Sequence, residues 1–291
     1  MLDLLYQDWP EPARRQQVES LLDQARAGAF DLSGLWGAWR RHRPVAVLMT
    51  QHLAKPLLAV WPPVGRGSEH CRAVMELCQA AFDAARGQGK THVQALIDPS
   101  LADAHDQMRI LRRVGLEPVT TLEFLTREVD PRPRLQTPAA RFSWIEWDAA
   151  RSSQFEATLH ATYDASLDVP EVSGIRSMRE LIDQLQIQGR FDPHSWLLGI
   201  LEQAPEQRGI LILAPSPHRT GHWEIQYLGL VPEARGRRLG RCLLLEAFHR
   251  AAGQARRLDL AVDQRNTPAS ALYQSAGFER FSSRILMLGS L

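Results

Sequence analysis

The stretch VPEARGRRLGRCLLLEAFHR (residues 231–250) sets Arg235, Gly236, Arg237, Arg238, Leu239, Gly240 and Arg241 just ahead of a helical stripe, Leu244, Phe248 and Ala251. A helix start presents N–H groups that have no acceptor inside the helix, together with the positive end of its dipole. Glycines let a ligand approach such amides without a Cβ in the way, and guanidinium groups add charge-assisted hydrogen bonds. The combination reads as an anion site, with phosphate the natural occupant. Arg238 is expected in the first helical turn, at an ordinary helical φ that arginine adopts without strain.

Working outward, HWEIQYLGLV (222–231) reads as a strand that feeds this loop. RLDLAVD (257–263) is a further strand, and TPASALYQSAG (267–277) a helix with Pro268 near its start and Gly277 just past its end. RFSSRILML (280–288) closes the chain as a strand. Upstream lie a strand over 141–147, a helix over 149–162 capped by Asp148, an acidic loop over 163–174 and a helix over 177–186. Segments 195–203 and 209–216 form an antiparallel pair.

VDPRPRLQTPAAR (129–141) holds three prolines and little apolar surface, which predicts a linker over 131–139 between domains 1–130 and 140–291. The first half repeats the order of the second: segments 44–51 and 55–63, a helix over 69–86, THVQALID (91–98), a helix to Arg113, Gly115, then a strand from 119. Three anchors align: Pro62 with Pro232 (232 − 62 = 170), Asp98 with Asp263 (263 − 98 = 165) and Gly115 with Gly277 (277 − 115 = 162). This points to a tandem duplication.

Composition narrows the classes. Lys+Arg 34 against Asp+Glu 33 in 291 residues leaves no net field to draw the chain to nucleic acid or membrane. No run approaches the roughly 18 apolar residues of a membrane span, and a cytoplasmic location is expected. The cysteines are Cys71, Cys78 and Cys242, without a CxxC, so buried thiols are expected and no metal site. ARGQGKT (85–91) fits a loose phosphate-loop pattern, but a helix precedes it and a strand follows, the reverse of what that loop requires.

Two motifs carry a family resemblance. Arg235-Gly236-Arg237-Arg238-Leu239-Gly240 resembles the Gln/Arg-x-x-Gly-x-Gly/Ala loop of the GNAT acyltransferase superfamily. NTPASALYQSAGF (266–278) is similar to its next motif, matching at Asn266, Ala269, Leu272, Tyr273, Gly277 and Phe278. The resemblance covers roughly 196–288 in full and the first half in outline. It implies an α+β fold of two tandem GNAT-like domains, each a mixed, mostly antiparallel sheet flanked by helices. It also implies acetyl-CoA as donor, with its pyrophosphate on the amides of residues 237–240 and its pantetheine arm along Leu230 and Val231. Arg235 and Gly236 belong to the same loop.

Transfer to an amine, of a small molecule or a peptide, needs a base and an acid. Glu224, six residues before Leu230, resembles the family's glutamate, with His222 its rival, and Tyr273 resembles the acid that protonates the CoA thiolate. Asn266 either touches the pantetheine arm or caps its helix. The departure is Arg238, where the family has glycine. The first half lacks this equipment: the position four before Gly115 is Leu111, which has no proton to give. The competing class is a non-catalytic acyl-CoA-binding protein. The acidic loop reads either as a solvated loop or as a lid over a cationic amine.

Overall fold

The computed structural model describes the chain apart from residues 8–9, 27–30, 54–55, 66–69, 130–138, 173, 176, 189–190 and 218. It comprises two compact units, Met1–Val119 with Arg284–Leu291, and Thr120–Ser283.

The first unit contains α1 (Leu2–Leu5), α2 (Glu11–Arg26), β1 (Leu35–Arg40), β2 (Arg43–His52), β3 (Leu57–Val60), β4 (Val64–Gly65), α3 (His70–Gly87), β5 (His92–Ile97) and α4 (Ala104–Arg113). β1, β2 and β3 are antiparallel neighbours, while β3 and β5 run parallel, Leu57↔His92 to Val60↔Ala95. Val74, Leu77, Cys78, Ala81, Phe82 and Ala85 recur at helical spacing along α3, and all are buried against Leu48, Leu58, Val93 and Ile97. Losing a ring such as Phe82 from that core would cost about 3–5 kcal/mol. Burial pushes the Cys78 thiol up to about 12, as an inert core thiol requires. Lys90, the lysine of the rejected phosphate-loop pattern, donates to the Leu53 carbonyl at 2.5 Å.

The second unit contains β7 (Phe142–Glu146), α5 (Ser152–Tyr163), α6 (Met178–Gln188), β8 (Trp196–Leu201), β9 (Arg208–Pro215), β10 (His222–Leu230), α7 (Gly240–Ala251), β11 (Arg257–Asp263) and α8 (Thr267–Ser275). A 3-10 turn, Ala149–Arg151, precedes α5, with the Asp148 side chain accepting from Ala150 N as expected. Strand order is β6-β11-β10-β9-β8-β7, with β6 spanning Glu117–Glu128. All neighbours are antiparallel except β10 and β11. Side chains alternate between two cores, as a period of two dictates. Leu197, Leu211, Leu213, Ile225 and Leu258 pack with Leu244 and Phe248 of α7. Trp196, Leu198, Ile210 and Ile212 pack with Phe155 and Leu159 of α5 and Leu181 of α6.

The units do not follow the sequence-based division at 131–139, most of which lies outside the described residues. The strand after α4 is β6, and its Leu122–Glu128 segment pairs with β11 of the second unit. The strand after α8 is β12 (Glu279–Ser290), and its end pairs with β5 of the first unit, from Ile285↔Ile97 to Ser290↔His92. Sequence order therefore misassigns both strands: membership follows lateral hydrogen bonding, and each long strand carries its far end into the other unit's sheet. α2 and β1 lie in a region where no element was expected.

Candidate functional site

β10 departs from regular pairing on both sides. Toward β9 the register passes from Ile225↔Leu213 to Tyr227↔Ile212, a bulge that leaves Gln226 without a ladder partner. The Gln226 Oε1 is buried and unbonded. Toward β11 the parallel pairing covers only His222↔Arg257, Trp223↔Leu258 and Glu224↔Asp259. From there to Leu230 the β11 side of β10 has no strand partner among the described residues, so the two strands part at Glu224.

The glycine-arginine loop follows the end of this fork. α7 begins at Gly240, with Leu239 at the N-cap position and no side-chain cap. Among the described residues, the amides of Gly236, Arg237, Arg238, Leu239 and Gly240 donate to no protein acceptor, whereas Arg235 N and Arg241 N are bonded to Pro232 O and Arg238 O. Backbone donors in such a run, next to a helix start, suit a polyphosphate.

Arg238 corrects the expectation made for it. It precedes the helix and stands at φ 60°, in the left-handed region. A residue with a Cβ pays about 1–2 kcal/mol there, which explains why the family pattern has glycine. Gly236 has φ 73° and open space where a Cβ would lie, so conformation and not room requires glycine there. At Gly240 a Cβ would come within 3.1 Å of Leu272 Cδ2, so that glycine lets α7 close on α8.

Arg235 is committed to backbone carbonyls. Its guanidinium donates to Thr162 O (2.9 Å), Asp164 O (2.6 Å), Ala165 O (3.3 Å) and Leu230 O (3.1 Å). It thereby satisfies carbonyls at the end of α5 and fixes the loop by its first residue. Val231 is committed as well: its N–H bonds Arg208 O and its carbonyl accepts from Ala234 N. Arg237 and Arg238 are exposed, without an ion pair among the described residues. Asn266 is the N-cap of α8, its side chain accepting from Ala269 N.

Tyr273 is 6% exposed, with its ring against Phe278 at 5.7 Å. Among the described residues its hydroxyl has no hydrogen-bond partner, and burial, then the nearby Asp168 charge, raise its pKa. Glu224 is half-buried at the fork and accepts from Ser216 Oγ at 2.6 Å. On the same face, His222 Nδ1 lies 2.9 Å from Asp259 Oδ2.

The acidic loop is latched to the end of β11, which the sequence reading left open. Asp168 lies at the surface with its carboxylate turned inward, where Oδ1 accepts from Asp263 N. Val169 N bonds Asp263 Oδ2, and Arg265 forks onto Glu171 at 2.7 and 2.8 Å. Val169 holds φ 43°, an unusual value for a branched side chain. Desolvation, partly offset by the Asp263 amide, raises the Asp168 pKa, and the Asp263 charge adds to the rise. The only available signal was acidity, which does not distinguish a solvated loop from a latched one. Among the described residues no group of His, Cys, Asp or Glu is arranged to hold a metal.

Residues 159–278 match the model of the Acetyltransferase (GNAT) family, so the match begins within α5, earlier than the motifs alone indicated. A mycothiol acetyltransferase of Kocuria rhizophila is 31% identical over 202 residues, 65% of this chain and 65% of that protein. One from Kineococcus radiotolerans is 35% identical over 95 residues, 33% of this chain and 30% of that protein. The chain thus matches just under two thirds of the first relative's length and less of the second. Among solved structures, a GCN5-related N-acetyltransferase from Sphaerobacter thermophilus superposes with a TM-score of 0.64 at 20% identity, covering 94% of this chain and 84% of that one. A tandem GNAT protein from the clavulanic acid biosynthesis pathway gives 0.54 at 15%, covering 92% and 87%. At those identities the likeness is one of fold.

Proposed function

We propose that this chain, which belongs to the GNAT superfamily, moves an acetyl group from acetyl-CoA to a primary amine. The observation that carries the reading is the fork between β10 and β11, followed by a run of amides, residues 236–240, that no protein group occupies among the described residues. A donor with a pyrophosphate at one end and an amide-bearing arm leading to a thioester fits both parts: the anion takes the loop amides and the arm lies along the free edge of β10 as an added strand. Val231 contributes to that edge by position only, since its own backbone groups are bonded elsewhere.

Acetyl-CoA bound there supplies an activated carbonyl. The residues of the chain do the rest. Gln226 N–H, outside the ladder at the bulge, is placed to donate to a developing oxyanion. Glu224 at the fork accepts the proton that the attacking nitrogen sheds once the C–N bond has formed. Tyr273, kept protonated by its buried setting, gives its proton to the departing sulfur. The likeness to mycothiol acetyltransferases supports a small-molecule acceptor over a protein.

Thiol release from acetyl-CoA, measured with and without a panel of small amines and peptides, tests the reading. Amine-dependent release with a matching N-acetyl product supports it. Acetyl-CoA binding without amine-dependent release would assign the fold to a non-catalytic binder.

A further inference from the structure

His222 is held more firmly than a solvated strand residue needs to be. Its side chain is 14% exposed, and its Nδ1 lies 2.9 Å from Asp259 Oδ2. Asp259, 8% exposed, is itself fixed: Arg219 Nη1 reaches the same Oδ2 at 2.7 Å, and Thr126 Oγ1 donates to Oδ1 at 2.5 Å. Arg257 Nε bonds Thr126 from behind. A carboxylate accepts only, so Nδ1 carries the hydrogen and the ring's lone pair sits on Nε2. Among the described residues Nε2 has no partner. His222 and Glu224 share one face of β10, and Ala261, two residues beyond Asp259 on the same face of β11, is exposed. His222 thus shares with Glu224 the face of β10 on which the fork opens.

Proton accounting gives this arrangement a task. An ammonium must lose two protons to become an amide, one before attack and one after the C–N bond forms. As the C–S bond breaks, Tyr273 gives a proton to sulfur and is restored by the second nitrogen proton, so one proton per turnover, the first, leaves for solvent. Glu224 serves the nitrogen after it has attacked the carbonyl, with one oxygen bonded to Ser216. A carboxylate is a weak base for an ammonium at neutral pH, and an imidazole is better matched. Resting on the acyl-transfer reading above, we propose that His222, oriented by Asp259, takes the first proton from the acceptor ammonium, through water, and passes it to solvent. Asp259 is the positioning residue. The other charged groups around the ring are Arg219 in the β9–β10 turn, Arg257 on β11 with Glu128 beyond it, and Glu224 on its own strand.

The tautomer is tested in the free protein by 15N chemical shifts of the His222 ring. The neutral ring should carry its hydrogen on Nδ1, and Asp259→Asn should remove that preference. Turnover is then followed against pH with acetyl-CoA and two probes, glycinamide and the more basic benzylamine. His222→Ala should lower kcat/KM about 10²-fold at neutral pH, with the gap closing as pH rises and closing earlier for glycinamide. Added imidazole should restore part of the rate. The double variant should be no worse than His222→Ala alone. A loss equal at every pH, no loss, or an Nε2–H ring would overturn the assignment. Wild-type protein that acetylates no amine would instead overturn the acyl-transfer reading, and this one with it.

Discussion

Among the described residues each unit contains one parallel strand pair, and the two pairs differ in how they end. In the first unit β3 stops at Val60, where its pairing with Ala95 of β5 also stops. In the second unit β10 runs on to Leu230 although its pairing with β11 ends at Glu224. A strand that outlasts its partner exposes main-chain groups that only water or a ligand can satisfy. The position of Tyr273 is filled in the first unit by Leu111, which is fully buried in the core. One fold thus serves two ends: a few extra residues and a bulge in β10 leave main-chain groups beyond the pairing, whereas β3 ends with its pairing and an aliphatic side chain fills the core.

The largest expected effect comes from the strand exchange. Deleting residues 284–291 removes Leu286 and Met287, 4% and 0% exposed, together with the partner of β5. Burial of such side chains contributes about 1.5–3 kcal/mol each, against a total margin of about 5–15 kcal/mol. The first unit should lose its cooperative transition in calorimetry and become protease-sensitive; retention of both would show that it closes without β12. Next, Tyr273→Phe should lower kcat about 10²-fold with acetyl-CoA affinity unchanged, while Leu111→Tyr should create no activity. An unaffected Tyr273→Phe would make the two positions equivalent packing sites. Calorimetric titration should find one acetyl-CoA per chain, and two equivalent sites would erase the contrast between the strand pairs.

Smaller effects follow. Arg238→Gly should relieve the left-handed backbone and raise stability by about 1 kcal/mol, while loosening acetyl-CoA a few-fold, more at low salt because an exposed charge is lost. A fall in melting temperature would contradict the first part. Smallest is Asp98, the counterpart of Asp263 at the end of its own parallel strand. Burial raises its pKa, but the Ser100 hydroxyl and amide and the Arg284 charge outweigh that and leave it lowered. A lowered carboxylate contributes stability above its unfolded pKa and loses it as pH falls through the folded value. Asp98→Asn should therefore flatten the acid limb of the first unit's stability curve; an unchanged limb would remove the assignment.

The glycine-arginine loop and the 266–278 motif were legible because backbone conformation restricts composition there, and Gly277 indeed stands at φ 80°. Gly115, its counterpart in the first half, stands at φ 95°, as the repeat implies. Arg238 was misread because no propensity announces a left-handed arginine: the helix begins two residues later than its charge pattern suggests. Arg235 was read as a phosphate ligand because its identity gives no sign of which partner it faces. The strand exchange was invisible for another reason, since hydrophobic pattern locates a strand but not its neighbour. The His222–Asp259 contact joins residues far apart in sequence, and neither alone marks a dyad.

The exchange also sets an order of events during synthesis. Domains generally fold as units, the N-terminal one first, as the chain emerges. Here the sheet edge formed by β5 waits for Ile285–Ser290, which is made only after the strands of the second unit. The first unit, though β5 itself is made early, thus closes after the second has been synthesised, and until then β5 presents an open edge of the kind that recruits stray strands.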